Sequence, residues 1–361
     1  MKALCLVEMC VVMAATAAPT PTDPAGKWHP GHYVFLNMAD INPKEHLTAQ
    51  FRGVQKCYGW PALEPEEGRY DFSVIKKDLA LLKKHGKQLV LQVQYKAFGK
   101  GQRLVPAYIQ GPQYGGGVYR ASSGSFDPVQ WNKKVGERMD AFFAALGREF
   151  DADPNVEAVV LPETAPSANF GKAAQSGVER FTEAGYLEAL KQRLTAMRRA
   201  FPRTVVIQYV NYPSGLLPEL TDYMKSVGVG MGGPDVYPRP HQYYDPEKGA
   251  YRLYPKMSGV VPLGAAVQSP DYSVASKQRT AAFDSGKERG SVQVNPEDEK
   301  PIPVGEHLAL AQEKLKLNYL FWSAHPHPCF ENVKTFLAKP ELARDPAGGL
   351  DAHLPTKAFL K

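Results

Sequence analysis

The sequence is poor in the features that mark a disulfide scaffold, a metal protein or a membrane protein. It holds four cysteines in 361 residues, and Cys57 and Cys329, far apart, lack the spacing of a metal site. His325 and His327 in "SAHPHPCF" have no third ligand beside them, so neither a metal nor a cofactor is expected. After the first residues no run is long and apolar enough to cross a bilayer. Nor are the basic residues gathered. The formal charge of +6 is spread over helix faces such as "LKQRLTAMRRAFPR", which argues against nucleic acid and leaves room for an acidic partner such as an anionic polysaccharide.

The opening stretch "MKALCLVEMCVVMAATAAPTPTDPAG" has a lysine, an apolar region interrupted by Glu8, and a small-residue site at Ala15-Thr16-Ala17. It reads as a secretory signal over residues 1–17 followed by a linker over 18–30, which implies a secreted or periplasmic protein. Cys5 and Cys10 would leave with it. An oxidising compartment then permits, without requiring, a bond between Cys57 and Cys329.

The next informative segment runs from Cys57 through "CYGWPALEPEEGRYDFSVIKKDLALLKKHGKQLVLQVQ". Residues 51–58 are short and β-prone, Val74, Ile75, Leu79, Leu81 and Leu82 recur at helical spacing, His85-Gly86 ends the helix, and Leu89, Val90, Leu91 and Val93 form a buried run. This is a β-α-β unit, and its loops at the strand carboxyl ends are where ligands sit in such folds. Strands are expected near residues 32–38, 53–58, 88–95, 156–163, 204–211, 228–237, 259–268 and 317–324. Helices are expected at 73–85, 128–150, 178–201, 215–226 and 305–315. That alternation predicts an α/β protein, a (β/α)8 TIM barrel over residues 31–345 with a tail at 346–361. Two long connections rich in glycine, proline and serine, after the third and seventh strands, should overhang the barrel mouth.

In a barrel the strand ends converge. The fourth ends in Glu163, after the apolar run "VEAVVLP", a place suited to a proton donor. Around the same rim fall Tyr58, Trp60, Tyr95, Tyr209, Asn211, Tyr212, Asp235, Tyr237, Gln268, Trp322 and His325. Carboxylates among flat rings suit sugar chemistry: rings stack on pyranose faces, and glycosidic cleavage needs an acid and a second carboxylate. The sequence therefore points to a carbohydrate substrate.

The segment "YGWPALEPEEGRYDFSVIKKDLALLKKHGKQLVLQVQ" resembles the second strand, loop and helix of clan A glycoside hydrolases, particularly families 42, 39, 10 and 5. The resemblance implies Glu163 as the acid/base and Trp322 as the aromatic floor of the cleavage subsite. Two positions depart from that pattern. Pro162 stands where the clan usually has an asparagine, and Gln268 stands at the end of strand seven, where a nucleophilic glutamate is expected. An amide cannot be a carboxylate nucleophile. With the end of strand seven placed slightly later, Asp271 or a glutamate of the following loop would be the nucleophile; alternatively Asp235 acts as base toward water, with inversion, and a barrel that binds glycan without cleaving it is a further reading.

If the leader is a signal, N-terminal sequencing of exported protein should give a chain beginning near Ala18. A chain that still begins at Met1 would refute it.

Overall fold

The computed structural model describes residues 24–166, 178–284 and 292–360. The expected leader lies outside them. Eight parallel strands close into a barrel: β1 (Gly31–Phe35), β2 (Gly53–Gly59), β3 (Gln88–Gln94), β4 (Val156–Leu161), β5 (Val205–Tyr209), β6 (Gly230–Gly233), β7 (Leu263–Val267) and β8 (Tyr319–Ser323). Closure is made by β1 pairing with β8, Gly31 beside Tyr319 through Phe35 beside Ser323. The expected (β/α)8 barrel and the place of every strand are thereby observed.

The surrounding helices are α1 (Ser73–Lys84), α2 (Lys133–Phe150), α3 (Glu183–Ala200), α4 (Leu217–Val227), α5 (Val274–Asp284), α6 (Val304–Ala309) and α7 (His327–Leu337). Two begin later than their apolar spacing suggests, because caps override it: Asn132 accepts from the Val135 amide at 3.1 Å and Thr182 from the Gly185 amide at 3.1 Å. Residues 126–128, the last of which is the expected start of α2, pair instead with 118–120 in an antiparallel ribbon. Helix α5 occupies part of the connection expected to be irregular. Among the described residues no helix is long and apolar enough to span a membrane.

Strand alternation sorts the side chains into two layers. Tyr33, Val90, Val160, Ile207, Tyr209 and Phe321 fill the barrel, while Val34, Leu89, Leu91, Val159, Val206 and Trp322 face the helices. The filling is uneven around the ring. A Cβ on Gly232 would lie 2.2 Å from the Gly264 carbonyl oxygen, and one on Gly264 would lie 3.1 Å from Ile207, Tyr319 and Phe321. The rings of β8 thus occupy room that Gly264 of β7 leaves, and Tyr209 and Ile207 of β5 crowd Gly232 of β6.

The amino-terminal end of the barrel is closed. Glu157, fully buried, accepts from the His29 amide and the Tyr319 hydroxyl at 2.7 Å each. Residues beyond 345 cross the same end: the Trp28 indole donates to Ala352 O at 2.9 Å, and the Lys357 and Leu360 amides donate to Val260 O and Pro202 O at 2.9 and 3.0 Å. The open end is therefore the carboxyl end of the strands.

Two buried imidazoles brace the outer layer. The Trp322 indole N–H donates to His32 Nδ1 at 3.0 Å, so His32 Nε2 carries the proton and donates to Gly348 O at 3.0 Å. His307 donates from Nδ1 to Val236 O at 2.9 Å and meets Trp322 edge-on. Burial lowers each to about 4. The unfolded chain takes up these protons first, near pH 6.5, so the contribution of each ring is complete above that pH and is lost as pH falls toward about 4. Urea unfolding between pH 6.5 and 4 should show stability falling with a component of about 1.4 kcal/mol per pH unit per ring. In His307→Gln that component should halve; an unchanged slope would place the acid sensitivity elsewhere.

Candidate active site

Glu163 leaves β4 through Pro162 and sits in a turn whose backbone is held almost entirely by side chains. Lys96 Nζ donates to Glu163 O at 2.7 Å and to Ala165 O at 2.5 Å. The Tyr186 hydroxyl donates to Thr164 O at 2.6 Å, and the Tyr119 hydroxyl to Pro166 O. Asn211, past the end of β5, is aimed by its own contacts: its side-chain oxygen accepts from the Ala165 and Tyr212 amides at 2.9 Å each, which turns its N–H toward the Glu163 carboxylate, to which it donates.

Asp235 follows the glycines of β6. Its Oδ1 accepts from Lys277 Nζ at 2.6 Å, and the same ammonium reaches Asp271 Oδ1 at 2.7 Å. Asp271 is fully buried and takes the Gln268 amide on Oδ2 at 2.9 Å, closing a reciprocal cap on the turn after β7. Burial opposes the charge of Lys277, yet Asp271 and Asp235 outweigh it and hold the ammonium above its ordinary range. Burial, then the charge of Asp235, pushes the Asp271 carboxyl upward against the pull of Lys277. Two carboxylates share one cation.

A wall of rings lies within reach of the charges of both acids. Tyr212 and Tyr243 have centroids 6.2 Å apart, His241 lies 4.8 Å from Tyr243, and Tyr237 lies 5.8 Å from His241 with the Lys277 ammonium 5.5 Å over its ring. Burial raises the Tyr212 phenol to about 12 and the Tyr243 phenol well above its ordinary range, and in both cases the charges of Asp235 and Glu163 add to it. These two tyrosines thus lie in the fields of both carboxylates. Tyr212 Oη and His241 Nδ1 are buried polar atoms without a hydrogen-bond partner among the described residues.

Of the residues expected at the rim, the structure brings Glu163, Asn211, Tyr212, Asp235 and Tyr237 together. Gln268 is spent on its turn, and His325 is exposed on the loop after β8. Five rings are corrected to packing. Tyr58 faces the helices and donates to Asp78 of α1 at 2.8 Å; Trp60, 1% exposed, donates to Glu64 and lies against Phe142 of α2. Tyr95 belongs to the outer layer, and Tyr209 fills the barrel below the mouth with its hydroxyl on Gln55. Trp322 points outward to His32, so it does not floor a cleft here. Asp271, considered as a nucleophile, is buried in its ion pair with Lys277. Lys96, Tyr243, His241 and Lys277 were absent from the expected set. For Lys96 a signal existed: Val90, Gln92, Gln94 and Lys96 share strand parity. Cys57 and Cys329 are both buried and unbonded.

No family model and no curated protein sequence matches the chain. Solved structures match it in fold. One is a β-galactosidase from the psychrophilic Marinomonas ef1, with a TM-score of 0.50 and 9% identity over 81% of this chain and 53% of that chain. Another is GH5_18 from Streptomyces cattleya, solved in complex with GlcNAc, with a TM-score of 0.50 and 12% identity over 81% of this chain and 70% of that one. These neighbours are glycoside hydrolases. The chain spans about half the length of the β-galactosidase, and at such identities the likeness establishes the barrel fold alone.

Lys277→Met should destabilise the protein by about 3–5 kcal/mol, since it strands a buried carboxylate beside a second one. Adding Asp271→Asn should restore part of that loss in urea unfolding. No recovery in the double variant would mean that Lys277 acts mainly through packing.

Proposed function

We propose that the chain is an exported glycoside hydrolase that cleaves O-glycosidic bonds in an oligosaccharide or polysaccharide, with Glu163 as the proton donor and Asp235 as the base toward water. The observation that supports this most is that the two carboxylates, at the ends of β4 and β6, both act on Tyr212 and Tyr243, so one wall of rings lies in the field of both. Asp235 uses Oδ1 for Lys277, which leaves Oδ2 outside the ion pair. In this reading a sugar packs on the tyrosines, Glu163 protonates the departing oxygen, and Asp235 takes a proton from the water that attacks the opposite face.

The reaction would invert the anomeric centre, because the end of β7 carries Gln268 and the buried Asp271 in place of a nucleophile that faces the mouth. That same feature favours a second reading, a barrel that binds glycan without hydrolysing it.

A panel of glycosides separates the two. Glu163→Gln should lower turnover by about two to four orders of magnitude on unactivated substrates and by less on those with a good leaving group. Asp235→Asn should impair both kinds alike. Proton NMR of the first-formed sugar should show inversion; retention would remove Asp235 as the sole partner. Full activity of Glu163→Gln on an unactivated glycan would defeat the assignment, and glycan binding without turnover by the wild type would favour the second reading.

A further inference from the structure

Lys96 is 1% exposed, on the inner parity of β3, at the top of a ladder of amides. Gln55 donates to Gln92 at 2.7 Å, Gln92 to Gln94 at 3.2 Å, and Gln94 to Lys96 O at 3.0 Å. A lysine at such a depth gives up its hydration and its rotamer freedom, and it stays charged only where fixed acceptors replace water. Here they do. Its ammonium spans Thr164, gripping the carbonyls of Glu163 and Ala165 on either side.

We propose that Lys96 is a positioning residue for Glu163: it clamps the 163–166 turn from inside the barrel and sets a positive charge beside the carboxylate that the turn carries. The proposal rests on the reading of Glu163 as the proton donor. Among the described residues, the charged groups that act on Lys96 are Asp127, from the ribbon after β3, and Glu163; Glu163 in turn acts on Lys96, Tyr186 of α3, Tyr212 and Tyr243, and Asp235 acts on the last two. Burial lowers Lys96 to about 8 while Asp127 and Glu163 pull it up, and Asp127 itself is pushed up to about 6 by burial against the pull of Lys96. The ammonium is therefore charged through neutral pH, where it favours the ionised form of Glu163. Removing that charge makes the Glu163 proton harder to lose.

The test is carbon-13 NMR of glutamate-labelled protein, with the Glu163 carboxyl assigned by its disappearance in Glu163→Gln. In Lys96→Met its midpoint should rise by about half a pH unit or more, and in Lys96→Arg it should stay near the wild-type value. The alkaline limb of kcat/KM should move upward with it, and kcat on an unactivated glycan should fall about tenfold or more, as displacement of an aligned catalytic group implies. Circular dichroism checks that the fold survives. Should Lys96→Met not fold, Lys96→Gln drops the charge while keeping a donor and carries the same comparison. An unmoved Glu163 midpoint in a folded variant without the charge overturns the proposal. A wild type that hydrolyses no glycan would overturn the glycosidase reading instead, and the NMR midpoint would still decide the role of Lys96.

Discussion

Closure of the barrel is the constraint on which the rest of the molecule depends. Once β1 pairs with β8, no edge is left, and every strand residue must point either to the axis or to the helices. A one-residue slip anywhere would exchange the two sets. The inner set carries rings near the closed end, with Tyr33, Tyr319 and Phe321 above the buried Glu157, and amides and an ammonium toward the mouth, with Gln55, Gln92, Gln94 and Lys96. Because each amide of that ladder is hydrogen-bonded, polarity is carried up the interior without the cost of an unpaired buried group.

The mouth inherits its charge from this arrangement. Glu163 is reached by an amide from Asn211 and lies in the field of Lys96, and Asp235 is tied to Lys277. Neither acid is left to polarise an apolar cavity alone, the situation that an uncompensated buried carboxylate would create. The backbone around Glu163 is fixed by side chains from the ribbon, α3 and the segments just past β3 and β5, so its position is determined by several elements at once. A site held in this way is pre-organised, which is what differential stabilisation of a transition state requires.

The strands were legible because each is a short apolar run set between turn signals, and the strand that carries Glu163 could be placed to within a residue or two. Side-chain direction was harder to read. Tyr95 and Lys96 are neighbours in sequence, yet the first faces α3 and the second faces the mouth. Choosing rings by their nearness to a strand end selected Tyr58, Tyr95 and Trp322, all of outward parity. The alternation that orients Lys96 is visible in "QLVLQVQYK", whereas the ion pair of Lys277 with Asp235, made across 42 residues, has no local signature. The clamp on the Glu163 turn is likewise a product of tertiary packing, since Tyr119, Tyr186 and Asn211 come from three separate segments.

The uneven filling of the barrel has a consequence for how such an interior can drift over time. Gly264 faces Ile207, Tyr319 and Phe321 so closely that a methyl group there would press on all three, and a methyl group at Gly232 would meet backbone, which cannot give way. Position 264 is therefore free to grow only if the neighbouring side chains of β5 and β8 give way, while position 232 is not free to grow at all. Volume in this barrel is a shared quantity, traded between β7 and β8, so substitutions at these sites are permitted in compensating pairs and forbidden one at a time.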